Sequence, residues 1–308
     1  MEELADDIRR ITFRLPLGID HVHCYLLRSA TGGWTLVDTG LGTRDADARW
    51  RPVLEALDAP IERIVVTHMH PDHVGGSGDV AALTGAPVYE SPEDHAQCVA
   101  VWGPDRDPSV IVEHWTGHGL PADQVAAVVE DARSLAAAVR YAPDPEPLAA
   151  GDELDGWRVE HLPGHADGHL VLVRQGVLIA GDTILAGITP AIGVYPGARP
   201  DPLGDYLETL DRIERLDLRL AHTGHGPTIE DPAARAREIR SHHVERLAAT
   251  EGTLEDAPKS AYDVSLALFP ADLSPVLRRF ALAESLAHLE RLVREGRATP
   301  DGLGYRAG

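Results

Sequence analysis

The chain has 308 residues, 44% of them hydrophobic, so a buried core in one large domain or one domain with an appendage is expected and disorder is not the default. The lack of an apolar run of about 18 residues argues against a membrane span; the acidic segment 1–7 and just two cysteines, Cys24 and Cys98, argue against a secretory signal and a disulfide framework and point to the cytoplasm. The net charge of −21 lies entirely in residues 1–231, with 17 Arg against 38 Asp and Glu, whereas residues 232–308 balance 11 against 11, so the larger segment is a poor match for a polyanion such as nucleic acid.

In chain order, residues 11–16, 24–28 and 34–38 read as strands joined by short turns, one of them Thr31-Gly32-Gly33. Residues 46–57 place Trp50, Val53, Leu54 and Leu57 at helical spacing, and the β-branched run 61–67 is the next strand. That strand ends in Thr67-His68-Met69-His70-Pro71-Asp72-His73-Val74-Gly75-Gly76, which concentrates His68, His70, Asp72 and His73 in one short stretch. Pro71 delays the following helix, and the paired glycines let backbone approach closely. His68 and His70 stand two apart on extended chain and project to one side; Asp72 and His73 are adjacent and diverge toward a second centre. Neutral imidazole and carboxylate are donors that zinc, manganese and iron accept.

Residues 90–150 exceed what a connection between strands requires and read as a lid-like insertion. Within it, Glu113-His114-Trp115-Thr116-Gly117-His118-Gly119 is the first candidate for touching a substrate, through His114 and His118. Residues 157–162, 170–174 and 177–180 are expected strands. Residues 203–216 form a helix with Tyr206, Leu207, Leu210 and Ile213 on one face, and 218–221 is a further strand. His165 follows the turn Pro163-Gly164, and His225 lies between glycines at a strand exit. Asp182 follows the apolar run 177–180, where a buried carboxylate is costly without a cation. His169, opening a strand, reads as a structural hydrogen-bond partner. The Gly- and Pro-rich stretch 184–199, with Tyr195 and Arg199, reads as an irregular wall beside the site. Strands flanked by helices in two halves predict an α/β fold, an αββα sandwich of two sheets with helices outside, over residues 1–231. Residues 232–308 read as helices with a polar tail.

The run His68-x-His70-x-Asp72-His73 resembles the signature of the metallo-β-lactamase superfamily, and Asp38-Thr39-Gly40, His165, Asp182 and His225 match its other motifs in order. The resemblance covers residues 11–231. It implies one metal on His68, His70 and His165, a second on Asp72, His73 and His225, and a bridge through Asp182, with Asp38 supporting the site from behind. Two Zn2+ per chain are expected, Mn2+ and Fe2+ being alternatives. Residues 241–247, 261–265 and 283–289 are similar to the winged-helix-like C-terminal extension of the β-lactamase-like protein 2 and glyoxalase II-like branch. In that branch Asn often stands where this chain has His23.

An aspartate at position 182 argues against β-lactam hydrolysis, since true zinc β-lactamases lack the bridging residue; thioesterases, lactonases, nucleases and phosphodiesterases of the family keep it. The expected reaction is hydrolysis of a carboxylic ester, lactone or thioester of a small molecule by metal-activated hydroxide, with Asp72 orienting the water and Tyr195 as oxyanion donor. The alternative is phosphodiester hydrolysis of single-stranded nucleic acid, which the acidic balance of residues 1–231 opposes. An iron-dependent persulfide dioxygenase is a third reading, opposed by the complete second ligand set. The apolar face of residues 275–294 requires cover from the catalytic domain or from a second copy in a homodimer. The segment 261–269 has no basic residue to read DNA, so neither nucleic acid nor a membrane is expected as a partner.

Overall fold

The computed structural model describes every residue except Asp6 and Leu17. Strands β1 (Glu2–Ala5), β2 (Ile8–Arg14), β3 (His21–Arg28) and β4 (Trp34–Val37) form an antiparallel meander. Helix α1 (Ala46–Glu55) leads to β5 (Ile61–Val65), parallel to β4. Helices α2 (Pro71–Val74) and α3 (Ser77–Thr84) precede β6 (Val88–Glu90). The insertion that follows is helical: α4 (Pro92–Trp102), α5 (Pro108–Gly117) and α6 (Ala122–Ala136). Its prolines open α4 and α5 at the first helical position, where a missing N–H costs nothing. The chain then returns as β7 (Glu146–Pro147) beside β6, so the insertion leaves and re-enters the same sheet edge. The seven strands lie in the order β1-β2-β3-β4-β5-β6-β7. Strand β1 was not expected from its acidic sequence. It forms because β2 offers an edge, and Arg10 donates from Nε and Nη2 to Glu2 Oε2 at 3.1 and 2.5 Å.

The second sheet runs β12-β11-β10-β9-β8, from β8 (Glu153–Leu154), β9 (Trp157–His161), β10 (Leu170–Arg174), β11 (Val177–Ile179) and β12 (Leu220–His222), with α7 (Pro202–Arg215) before β12. Tyr25, Leu27, Val37 and Val65 of the first sheet meet Trp157, Val159, Leu170, Leu172 and Ile179 of the second in one buried layer. Helices cover the outer faces, so the two-sheet sandwich expected from the sequence is the fold. On α7, Leu203, Tyr206, Leu210 and Ile213 are fully buried, and each aliphatic member of that stripe stabilises by about 1.5–3 kcal/mol relative to exposure.

The C-terminal segment comprises α8 (Pro232–Glu251), β13 (Lys259–Ser260), α9 (Ala261–Leu268), α10 (Pro275–Arg294), β14 (Ala298–Asp301) and β15 (Gly304–Ala307). It is not helical throughout: β13, β15 and β14 make a three-stranded sheet, whose polar strands carry no alternating apolar signal. Ser260 and Asp263 form a reciprocal capping box at the start of α9. The apolar face of α10, with Leu282, Leu286, Leu289 and Leu292, buries in one cluster with Leu203, Tyr206 and Leu210 of α7. Helix α7 therefore covers that part of the face, while Leu277 and Phe280 at the start of α10 stay exposed, at 51% and 42%. Among the described residues, no helix is long and apolar enough to cross a membrane.

Two histidines sit inside that cluster. His288 Nδ1 donates to the Glu284 carbonyl at 2.8 Å, which leaves its Nε2 to accept from His243 Nδ1 at 3.3 Å. Burial, then the neighbouring histidine, lowers His243 to about 3, and burial lowers His288 to about 4. Both stay neutral in the folded protein while the unfolded chain takes up protons below about 6.5. Stability thus falls as pH drops from about 6.5 toward these values, by at most about 1.4 kcal/mol per pH unit and histidine. Urea midpoints at pH 7.5 and 5.0 test this: the drop should shrink in a His243→Leu, His288→Leu double variant, and an equal drop in both proteins would refute it.

Candidate metal centre

Five segments deliver the centre, each leaving the C-terminal end of a strand: β4 gives Asp38, β5 gives His68 to His73, β9 gives His165, β11 gives Asp182 and β12 gives His225. His70 keeps an extended ψ of 147° and Pro71 starts α2, so the chain turns helical only after the second histidine. His68, His70 and His165 form one group of donor atoms, all within 4.8 Å of one another; Asp72, His73 and His225 form another to the same limit. Asp182 lies between them. Its Oδ1 is 3.4 Å from His73 Nε2, and its Oδ2 is 3.1 Å from His225 Nε2 and 3.7 Å from His165 Nε2. Space for that carboxylate depends on Gly224, where a Cβ would stand 2.2 Å from Asp182 Oδ1. Gly181, at φ +48°, leaves similar room for His169, whose Cε1 lies 2.8 Å from the missing Cβ.

Hydrogen bonds behind the rings fix which nitrogen carries the proton. Asp38, held at φ +61°, accepts from Thr67 N–H at 2.8 Å, from Thr67 Oγ1 at 2.9 Å and from His73 Nδ1 at 2.8 Å. With its proton committed to Asp38, Thr67 Oγ1 accepts from His68 Nδ1 at 3.0 Å. His165 Nδ1 donates to the Ala191 carbonyl at 2.9 Å, and His225 Nδ1 to the His21 carbonyl at 2.6 Å. The Nδ1 bonds turn Nε2 of all four rings toward the centre, and on His68 and His165, which burial keeps neutral, it is a bare lone pair. His70 turns Nδ1 inward, 3.1 Å from His68 Nε2 and 2.9 Å from His165 Nε2. Three ring nitrogens therefore converge with at most one proton among them, an arrangement that suits a cation.

Charge tells the same story. Burial, then the surrounding histidines, pushes His68 and His70 well below the ordinary imidazole range, and burial also lowers His165. Burial opposes a charge on His73, but Asp182 and Asp38 outweigh it and hold this imidazole well above its usual range. For Asp182, burial is outweighed by His73 and His225, which keep it ionised. His73 Nε2 and Asp182 Oδ1 are buried with no hydrogen-bond partner among the described residues. Each such atom costs about 1–3 kcal/mol, more when charged, and a cation between them removes the cost. The His and Asp groups are thus suited to binding metal.

His169 is excluded from either group by its own bonds. Its Nε2 accepts from the Asp182 N–H at 3.2 Å, and its Nδ1 donates to Thr183 Oγ1 at 3.1 Å, while its ring stacks on His68 at 4.5 Å. His114, His118 and Tyr195, expected to line the site, gather around Trp115 and Val194. His114 Nε2 donates to the Val194 carbonyl at 3.2 Å, the His114 and His118 rings lie 4.8 Å apart, and Tyr195 meets Trp115 edge-on at 5.9 Å. Val194 N–H donates to the Ala283 carbonyl of α10 at 3.2 Å. The stretch from Ala191 to Tyr195 therefore joins His165, the insertion and the C-terminal segment.

Two supporting residues, Asp94 and His21, escaped sequence reasoning, and so did the role of a third, His23. Asp94, fully buried on α4, accepts from Met69 N–H at 2.9 Å and from Gly168 N–H at 2.5 Å, tying the segment of His68 and His70 to that of His165. Burial, opposed by those two N–H groups, raises it to about 7. Nothing in Ser91-Pro92-Glu93-Asp94 says which acid turns inward. His21 and His23, on β3, grip the loop that carries His225.

A family model described as the metallo-beta-lactamase superfamily matches residues 17–225, and one described as a metallo-beta-lactamase-like C-terminal domain matches residues 247–301. The chain is 28% identical to the "Probable metallo-hydrolase YqjP" of Bacillus subtilis, over 94% of this chain and 93% of that one. It is 25% identical to a beta-lactamase-like protein 2 homolog of Caenorhabditis elegans, over 96% and 87% of the two chains. An atrochrysone carboxyl ACP thioesterase of Passalora fulva is 24% identical over 89% of this chain and 70% of its own. Among solved structures, a metallo-beta-lactamase family protein of Thermus thermophilus superposes with a TM-score of 0.86 at 36% identity, over 99% of this chain and 100% of that one.

Proposed function

For a chain that belongs to the metallo-beta-lactamase superfamily, we propose a binuclear zinc hydrolase that cleaves a carboxylic ester, lactone or thioester of a small molecule. The observation that carries this reading is Asp182, whose two oxygens address histidines from both donor groups, at 3.4 Å to His73 and at 3.7 and 3.1 Å to His165 and His225. Zinc in those groups supplies Lewis acidity, which lowers the pKa of water toward neutrality and polarises a carbonyl. The protein's part is to hold the donors and place the reactants. Asp72 is the more exposed of the two carboxylates, at 15% against 7% for Asp182, and it would orient the attacking water by accepting a hydrogen bond from it. Burial pushes the Tyr195 hydroxyl up to about 12, so it stays protonated at neutral pH and can donate to the oxyanion. His114 and His118 complete the wall on the insertion side. With both thiols buried and free, the cytoplasm is the compartment this reading assigns.

The thioesterase relative supports an acyl substrate. The charge of −21 opposes a nucleic-acid substrate, since two divalent ions offset only a small part of it. A panel of thioesters, lactones, aryl esters and bis-p-nitrophenyl phosphate tests the assignment. Turnover of one of the carbonyl classes is expected, and His114→Ala, His118→Ala and Tyr195→Phe should reorder that preference without loss of metal. The Tyr195→Phe change is expected to lower kcat by about 100-fold, the lower end for loss of one oxyanion donor. Turnover confined to the phosphodiester overturns the proposal, and unchanged kinetics in all three variants overturns the wall.

A further inference from the structure

The loop that carries His225 leaves β12, in the second sheet, yet its polar groups are met by β3, in the first. Tyr25 Oη donates to the Thr223 carbonyl at 2.6 Å. His23 N–H donates to the Gly224 carbonyl at 2.7 Å, and His23 Nε2 donates to the Gly226 carbonyl at 2.9 Å. The Gly226 N–H donates in turn to His21 Nε2 at 2.9 Å, and His225 Nδ1 to the His21 carbonyl at 2.6 Å. Residues 21, 23 and 25 share one face of the strand, because side chains alternate along it. Together they reach each residue of the loop from Thr223 to Gly226.

His23 is central to this grip. It is buried, and Thr12 Oγ1 on β2 donates to its Nδ1 at 3.0 Å, which leaves the ring proton on Nε2, where Gly226 needs it. The ring and the backbone N–H of one residue thus hold the carbonyls on either side of His225. An imidazole that aims Nε2 at a metal depends on such a fixed backbone, since its only other restraint is the bond made by Nδ1.

We infer that His23 is a positioning residue for the metal site of Asp72, His73 and His225: it clamps the loop from Gly224 to Gly226 so that His225 Nε2 stays 3.4 Å from Asp72 and 3.1 Å from Asp182. This rests on the two-metal reading above. His23 touches neither substrate nor metal and acts through His225.

The test titrates the metal-free, full-length protein with Zn2+ against a chromophoric chelator and follows Co2+ absorption in parallel. A His225→Ala variant identifies which of the two binding constants belongs to its site. In His23→Leu, which fills the space without a donor, that constant is expected to weaken by roughly 10–100-fold while the other holds. The cobalt band of the same site alone should change. His23→Gln, which can place an N–H where Nε2 stands, should restore the constant to within a few-fold. Wild-type constants in His23→Leu overturn the clamp and leave the two-metal reading intact. Equal weakening at both sites makes His23 a general packing residue and also overturns it. A wild-type protein that binds a single ion overturns the two-metal reading and the clamp together.

Discussion

Asp182→Ala is expected to lower kcat/KM well beyond the roughly 10–100-fold loss typical of a residue that merely supports a ligand. Asp182 stands within 3.7 Å of His165 on one side and 3.1 and 3.4 Å of His225 and His73 on the other, so both donor groups lose an anion at once. The variant also removes the carboxylate that holds His73 above its usual pKa range against burial, which changes the protonation of the second group. Asp182→Asn keeps the shape and the space that Gly224 leaves, but not the charge. It should bind the two ions more weakly and turn over more slowly, with less than the full loss of the alanine variant. Metal content by elemental analysis, measured with kinetics on the same preparation, separates the effects. Wild-type turnover with two ions in Asp182→Asn would show that Asp182 does not bridge.

Removing the metal is the second large effect. Protein purified without chelator is expected to hold close to two ions per chain, mainly zinc, because each donor group is complete. Dialysis against a strong chelator should abolish activity and lower Tm. At free metal about 1,000 times its Kd, each ion contributes about 4 kcal/mol to stability. At roughly 2–4 °C per kcal/mol, that amounts to about 10 °C in Tm per ion. Binding also displaces protons from His73 and His225, which Asp182 raises above the ordinary range against the effect of burial, so affinity should fall as pH falls. Activity and Tm that survive complete chelation would refute the metal assignment. A single tightly held iron, with oxygen uptake on a persulfide, would refute the hydrolase.

Local sequence was enough to single out four of the groups that gather at the centre, while His165, Asp182 and His225 were assigned through the family resemblance. Four candidate donors between His68 and His73, at the end of a β-branched strand, form a signal that needs no partner to be read. The two-sheet sandwich was legible for the same reason: short apolar runs and one-faced helices such as α7 record their burial in their own periodicity. Around His165 and His225 the turn Pro163-Gly164 and the glycines at 224 and 226 agreed with that resemblance but were weak signals alone.

What tertiary structure decided lies between residues far apart in the chain. Glu93 and Asp94 are equivalent as letters, yet Asp94 alone is buried, because the backbone N–H groups of Met69 and Gly168 meet there. β1 is a strand only because β2 leaves an edge open, and β13 only because β15 arrives beside it. His23 looked like a departure from a family pattern until the fold placed Gly226 against its ring, 203 positions away. Composition and spacing specify what a residue can bond to; the packing of two sheets decides which of those bonds is made, since a buried donor or acceptor must find its partner wherever the chain has brought one.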